Sequence, residues 1–84
     1  MLIILPLTPR QHAILTKHGL LKKWEKQSSY LRVNPRHPSL NTELLEPKAH
    51  GIYSIRIDRK FRALFFFHDD HQTIEILAIT LHYH

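Results

Sequence analysis

The chain has 84 residues and a mass of 10.0 kDa, which suffices for one small domain, residues 1–84, but not for two. It contains no cysteine, so disulfides, thiolate metal ligands and thiol nucleophiles are excluded, and no apolar run approaches the roughly 20 residues of a membrane span. The net charge is +5 and all twelve lysines and arginines lie within residues 1–62, which favours an anionic partner; the alternative is that the charge serves only the solubility of a small domain.

The chain opens on a short apolar run, residues 2–5, which is typical of a buried strand. No basic residue precedes this run, and Pro6 stops it well short of the apolar core of a signal peptide. We therefore expect a strand here and a cytoplasmic protein.

Two helices are predicted next. Residues 8–11 (TPRQ) have the pattern of a capping box with proline in the first helical position, and Gly19 is a natural end for the helix that follows. Apolar residues then recur at helical spacing over residues 20–33, and Pro35 ends the pattern. The two segments predict a helical hairpin.

The rest of the chain predicts a sheet. Residues 51–57, 61–68 and 73–81 are rich in β-branched and aromatic residues and are separated by polar turns, and residues 40–45 are a weaker candidate for an edge strand. In the last strand both sets of alternate residues are apolar, which indicates either a central strand covered on both faces or a bulge. The order predicts an α+β fold, in which an N-terminal strand and a helical hairpin pack on a twisted antiparallel sheet.

The hairpin around residues 58–60 gives the sharpest inference. A three-residue loop there sets Arg56 directly opposite Arg62 and collects the apolar residues of both strands on the other face, whereas a two-residue loop spoils this sorting. Like charges directly opposite are unfavourable, so the pair indicates a site for an anion such as phosphate. The alternative is a solvated sheet face in which each arginine pairs with a carboxylate.

The chain ends on Leu81-His82-Tyr83-His84, directly after an apolar strand. Histidine exchanges protons near neutral pH, and tyrosine stacks on bases or donates a hydrogen bond, so His82 and Tyr83 are candidates for chemistry at the sheet rim; the alternative is a frayed terminus. Eight histidines are present, but no H-E-x-x-H or similar spacing predicts a metal site. A glycine-rich phosphate loop and a nucleophile-elbow serine are also lacking.

Four segments, NPRHPSLNTELL, HGIYSIRID, KFRALFFF and HYH, together resemble the RelE/ParE superfamily of toxins from bacterial toxin–antitoxin systems. The resemblance covers residues 34–84, while the helical hairpin matches in layout. The ending His-Tyr is similar to that of the YoeB-like branch, whose members are endoribonucleases that cut messenger RNA on the ribosome. The RelE-like fold and this activity are what the resemblance implies.

The same resemblance implies metal-free cleavage of RNA with no cofactor. A base removes the proton of a ribose 2′-hydroxyl, which attacks the adjacent phosphorus, and an acid protonates the departing 5′-oxygen. The matching positions are Arg62 as the phosphate clamp, His82 as the acid with Tyr83 beside it, Arg56 as a neighbouring basic residue and Glu46 as the base.

We further expect Lys48, Arg59 and Arg36 to contact RNA. The partners that the resemblance implies are a cognate antitoxin, the ribosome and messenger RNA, with a role in plasmid stabilisation, and it is compatible with a homodimer or a toxin–antitoxin hetero-oligomer. Two alternatives remain open: a ParE-like inhibitor of DNA gyrase, and a catalytically inactive module that binds RNA or an antitoxin on the same fold.

Overall fold

The computed structural model describes residues 1–81 as two helices packed on one five-stranded sheet. The strands lie in the order β1-β5-β4-β3-β2; β1 runs parallel to β5, and the other neighbouring pairs are antiparallel. The predicted α+β class is confirmed. The elements are β1 (Ile3–Ile4), α1 (Pro9–Lys17), α2 (Leu21–Val33), β2 (Glu43–Leu44), β3 (Tyr53–Arg56), β4 (Phe61–Phe67) and β5 (Thr73–Leu81), with short 3-10 helices at Pro38–Leu40 and Lys48–His50.

Helix α1 begins at the predicted capping box. The Thr8 hydroxyl accepts a hydrogen bond from the backbone N–H of Gln11, and the side chain of Gln11 accepts one from the N–H of Thr8, both at 3.1 Å. Gln11 is buried, and its Nε2 donates to the carbonyl of Ile76 at 3.0 Å. The side chain that caps the helix therefore also fastens α1 to β5. Gly19 follows α1 with a φ of +66°, a conformation that favours glycine.

The core lies between the two helices and one face of the sheet. Leu15 and Leu31 from the helices meet Ile55, Ala63 and Phe65 from β3 and β4, and all five are fully buried. Each large apolar side chain buried in this way contributes about 1.5–3 kcal/mol relative to exposure. The predicted apolar layer of the hairpin is confirmed, because its other members also belong to this cluster or pack against it.

The β3–β4 hairpin has the predicted register. Arg56 lies directly opposite Arg62, and the N–H of Ile57 donates to the carbonyl of Phe61 at 2.9 Å, which leaves a three-residue loop that begins at Asp58. Asp58 Oδ1 accepts two backbone hydrogen bonds at 2.8 Å from within this turn. The carboxylate thereby holds the loop that fixes which residues face the helices.

Strand β5 is central and carries a bulge, which resolves its unsorted sequence pattern. Leu64 pairs with Ala78, but its neighbour Phe65 pairs with Ile76, so Leu77 has no partner on β4. One extra residue reverses the alternation along the strand. The buried residues are therefore even-numbered before the bulge (Ile74 and Ile76) and odd-numbered after it (Ile79), which explains why the sequence of β5 does not alternate regularly between apolar and polar residues.

Three predicted strands are shorter than expected. The strand predicted over residues 51–57 covers Tyr53–Arg56, since Gly51 ends the second 3-10 helix. The predicted buried strand over residues 2–5 is a strand only at Ile3–Ile4, and Ile3 is 57% exposed because β1 forms the edge of the sheet. The candidate strand over residues 40–45 is limited to Glu43–Leu44, since the preceding residues form a 3-10 turn. Within residues 1–81, neither helix has the length and apolarity needed to cross a bilayer.

Asp70, in the turn between β4 and β5, generates a prediction about stability and pH. The hydroxyl of Thr73 and the backbone N–H groups of Gln72 and Thr73 donate to its carboxylate and lower the pKa of Asp70 to about 2. A carboxyl whose pKa is lowered by folding stabilises the folded state above its unfolded pKa of about 4, and this contribution disappears as the pH falls toward the folded pKa.

We therefore expect Asp70→Asn to lower the urea midpoint at neutral pH and to flatten its dependence on pH between about 4 and about 2. Asp69→Asn is the matched control, because Asp69 lies in the same turn and its side chain makes no hydrogen bond to residues 1–81. Equal pH profiles for the two variants would contradict this account of the turn.

Candidate phosphate-binding site

Arg62 of β4 lies on the sheet face that points away from the helices, and only 4% of it is exposed. Its Nε donates to the hydroxyl of Ser54 at 3.1 Å, and its Nη2 donates to the carbonyl of Asn41 at 2.7 Å. The carboxylate of Glu43 lies 3.8 Å from Nη2, close enough for electrostatic attraction but not for a hydrogen bond. The guanidinium is thus held in one orientation by β3 and by the segment that leads into β2.

The charge of Arg62 is costly at this position. Burial lowers the pKa of Arg62, the carboxylate of Glu43 raises it, and the positive charge of Arg56 lowers it further. The guanidinium remains protonated nevertheless, because arginine does not lose its proton in proteins. An additional anion beside Arg62 is therefore electrostatically favourable.

Arg62 lies at the wall of an open cleft of about 220 Å³. Within residues 1–81, Nη1 of Arg62 makes no hydrogen bond, whereas Nε and Nη2 each have an acceptor. Donors left over on a fixed guanidinium match the oxygens of a phosphate group. The other residues that line the cleft are Glu43, Leu45, Ser54, Leu64, Thr80 and Leu81.

Arg56 lies across the ladder from Arg62, as predicted, but its surroundings differ. It is exposed and makes no ion pair with residues 1–81. The alternative in which each arginine pairs with a carboxylate therefore applies in part to Arg62, which lies near Glu43, and finds no partner for Arg56 within these residues. Arg56 lines a second opening of about 300 Å³, between α2 and the β3–β4 loop, which we call the basic groove. The basic groove is lined by Lys23, Lys26, Gln27, Ser39, Arg56, Ile57, Asp58 and Arg59.

Three other residues predicted from the sequence, Glu46, Lys48 and Arg59, do not line the Arg62 cleft. Glu46 is exposed in the loop after β2 and does not line the Arg62 cleft, and Lys48 is exposed at the start of the second 3-10 helix. Arg59 lies in the β3–β4 loop and lines the basic groove. The roles of all three stay predictions.

Arg36 belongs to a separate cleft of about 200 Å³, whose other lining residues include Tyr53 and Phe67. These aromatic side chains are on the helix-facing side of the sheet, so the sheet separates Arg36 from Arg62. The predicted catalytic positions at 82 and 83 lie outside the described residues.

Sequence reasoning missed the three residues that hold Arg62: Ser54, Asn41 and Glu43. Ser54 could have been predicted from the sequence, because it lies two positions before Arg56 and therefore shares the sheet face of the arginine pair. Glu43 pairs with Ser54 across β2 and β3, a register that the short β2 does not reveal in the sequence. Asn41 acts through its backbone carbonyl, which carries no side-chain signal at all.

The comparison with solved structures identifies the fold. The structure superposes on a YoeB/ParE toxin from Agrobacterium tumefaciens with a TM-score of 0.73 at 17% sequence identity, covering 98% of both chains. It also superposes on the YoeB-YefM complex from Staphylococcus aureus with a TM-score of 0.69 at 22% identity, covering 99% of both chains. The YoeB dimer from Staphylococcus aureus gives 0.64 at 19% identity, covering 98% of this chain and 95% of that one.

The chain has the YoeB/ParE toxin fold. This confirms the fold that the sequence segments predicted. No protein-family model and no curated protein sequence matches the chain, so the likeness is carried by the backbone arrangement. Within this YoeB-like fold, the Arg62 cleft and the basic groove are two separate openings, and one cation of each, Arg62 and Arg56, face each other across the β3–β4 ladder.

The contacts of Arg62 predict the effect of removing its Nε acceptor. We expect Ser54→Ala to lower the free energy of unfolding by about 1–3 kcal/mol, because a hydrogen bond to a charged group is lost where water is largely excluded. Urea denaturation measures the change. Ser29→Ala is the matched control, since that exposed hydroxyl donates to Lys26 O within α2, and alanine favours the helix. Equal stability of the two variants would show that the Ser54 contact contributes nothing.

Proposed function

We propose that this protein is the toxin of a toxin–antitoxin system and that it cleaves messenger RNA on the ribosome. The observation that supports the proposal is the buried guanidinium of Arg62, held by Ser54 and Asn41 at the wall of an open cleft. Such a group is oriented before substrate arrives, so it stabilises charge that develops on a phosphate without further reorganisation. The YoeB-like fold agrees with this function.

The proposed reaction needs neither metal nor cofactor. A base takes the proton of the ribose 2′-hydroxyl, the 2′-oxygen bonds to the neighbouring phosphorus, and the bond from phosphorus to the 5′-oxygen breaks. An acid gives the departing 5′-oxygen its proton, which leaves a cyclic phosphate on one fragment and a 5′-hydroxyl on the other. Arg62 stabilises the negative charge on the phosphate oxygens as these bonds exchange.

We assign the proton transfers as the sequence suggests. His82 is the proposed acid, with Tyr83 beside it, and Glu46 is the proposed base. Glu43 is a second carboxylate to consider as the base, because it lines the Arg62 cleft, whereas Glu46 does not. Arg56 supplies further positive charge next to the cleft.

The remaining predicted contacts fit an extended RNA partner. Lys48 and Arg59 are exposed cations at two ends of the sheet, and we propose that both contact RNA phosphates. Arg36 lies on the helix side of the sheet, so we propose that it contacts a different segment of RNA from the one at Arg62. The work of such a toxin takes place in the cytoplasm, where ribosomes and messenger RNA are found.

We also propose a cognate antitoxin as a partner. The similar structures include a YoeB-YefM complex and a YoeB dimer from Staphylococcus aureus, which support both a hetero-oligomer and a homodimer for this chain. The basic surface suits an acidic antitoxin segment.

A second candidate is inhibition of DNA gyrase, because the similar Agrobacterium tumefaciens structure is described as a YoeB/ParE toxin. The third is an inactive module that binds RNA or an antitoxin. Induced expression separates the three candidates: fragmented messenger RNA supports the nuclease, blocked replication with DNA damage supports the gyrase inhibitor, and unimpaired growth supports the inactive module.

The role of Arg62 is tested by substitution. We expect Arg62→Ala to reduce cleavage of ribosome-bound messenger RNA by roughly 10²–10³ and to abolish growth arrest, because the developing charge loses its fixed partner. Primer extension measures cleavage, and circular dichroism checks folding. Arg62→Lys serves as a second variant that keeps the charge but not the planar fork. Arg32→Ala on the exposed face of α2 is the control, and full toxicity of both Arg62 variants would refute the clamp.

The proposed acid is tested separately. We expect His82→Gln to slow cleavage by about 10²–10⁴ while ribosome binding, followed by cosedimentation, stays unchanged, because the departing 5′-oxygen lacks a proton donor. His71→Gln is the control, since His71 is exposed in the β4–β5 turn. Equal cleavage by the two variants would reject His82 as the acid.

A further inference from the structure

We propose that the basic groove is a second phosphate-binding site, which holds the backbone of the same RNA strand whose reacting phosphate lies at Arg62. This proposal rests on the proposed function and deepens it. Four cations from three separate elements meet at the groove: Lys23 and Lys26 from α2, Arg56 from β3 and Arg59 from the β3–β4 loop. The opening measures about 300 Å³.

The groove has fixed walls. Gln27 is buried, and its Nε2 donates to the carbonyl of Ser39 at 2.9 Å and to the carbonyl of Arg56 at 2.7 Å. One amide therefore ties α2 to the end of β3, and it sets the separation between the lysines on the helix and the arginines on the hairpin. A groove whose walls are joined in this way does not need to close around a ligand, which lowers the entropic cost of binding.

Asp58 is the one carboxylate in the groove, and it is engaged elsewhere. Burial raises the pKa of Asp58, but the backbone hydrogen bonds from Phe61 and Lys60 and the charge of Lys23 together lower it, so the group stays ionised. Its Oδ2 lies 3.5 Å from Nζ of Lys23, whose side chain is 58% exposed. An ion pair in contact with solvent is weak, so Lys23 remains able to bind a phosphate.

The lining of the groove favours a nucleic-acid backbone over an acidic protein segment. Ile57 is the sole apolar side chain among the residues that line it, and it is only 4% exposed because it belongs to the core. A protein segment that folds onto a partner gains its affinity from apolar or aromatic anchors that insert into pockets of the same kind, and the residues that line this groove include no aromatic side chain and no exposed aliphatic one. A phosphate backbone needs cations alone.

One cation of the groove, Arg56, faces Arg62 of the neighbouring cleft, although the two openings share no lining residue within residues 1–81. Arg56 lines the groove and lies directly across the ladder from Arg62, and its charge influences the pKa of Arg62. Arg56 is therefore the cation through which a strand bound in the groove would reach Arg62. A strand bound at both sites is positioned by contacts made away from the reacting phosphate, and such contacts orient the substrate for reaction.

Salt dependence of binding tests the proposal. The probe is a single-stranded RNA oligomer that is fully 2′-O-methylated and therefore not cleavable, and its binding is followed by fluorescence anisotropy over a range of salt concentrations. We expect Lys23→Gln/Lys26→Gln to weaken binding and to reduce the slope of log affinity against log salt by about 1.4, since each lost contact with a single strand removes roughly 0.7. Arg59→Gln is a further variant, with an expected reduction of about 0.7.

The matched control is Lys17→Gln/Lys22→Gln, which removes the same charge from exposed positions that do not line the groove. Equal slopes for groove and control variants would overturn the proposal, because net charge alone then explains binding. It is also overturned if the groove variants keep their RNA affinity and lose only the affinity for a polyglutamate probe.

The design separates this proposal from the proposed nuclease function. The binding measurement requires no cleavage, whereas the substitutions of Arg62 measure cleavage directly. A reduced salt slope in the groove variants together with full toxicity of Arg62→Ala supports the groove and rejects the nuclease. An unchanged salt slope in the groove variants together with loss of cleavage in Arg62→Ala rejects the groove and supports the nuclease.

Discussion

The burial of one positive charge organises the sheet face opposite the helices. A guanidinium removed from water is costly unless hydrogen bonds and a counter-charge compensate it. Here Ser54 and the carbonyl of Asn41 supply the hydrogen bonds, and Glu43 supplies the nearby negative charge. An apolar residue in place of Arg62 would avoid this desolvation cost, and the phosphate that we propose as its ligand would give the buried charge a use.

The sheet has one face that packs against the helices and another that carries Arg62. On the helix side, the buried apolar residues of β3 and β4 pack against α1 and α2. On the other side, the same strands present the Arg62 cleft, and at their loop end the basic groove begins. Because alternate residues of one strand serve opposite faces, the core and the site depend on the same register. The carboxylate of Asp58, which holds the loop, therefore supports both.

The parts predicted from the sequence are those that local rules determine. The capping box of α1 and the facing pair Arg56 and Arg62 follow from spacing and alternation, and the structure has both. Two partners of Arg62 could not be predicted, because Glu43 lies on a two-residue strand and Asn41 lies in a turn, with a φ of 48°. Such features are decided by tertiary packing, which a single sequence does not display. The bulge at Leu77 was anticipated as one option but was not located.

The parallel pairing of β1 with β5 has a consequence for the order of folding. Ile3 pairs with Thr73 and Ile4 with Ile74, so this contact closes a ring that spans most of the polypeptide. Ring closure over so many residues carries a large entropic penalty and slows assembly. During synthesis, β1 cannot pair with β5 until β5 has emerged, by which time the helices and the β3–β4 hairpin have already been made. The edge of the sheet that β1 forms is therefore exposed for longer than the interior pairs β3–β4 and β4–β5 require.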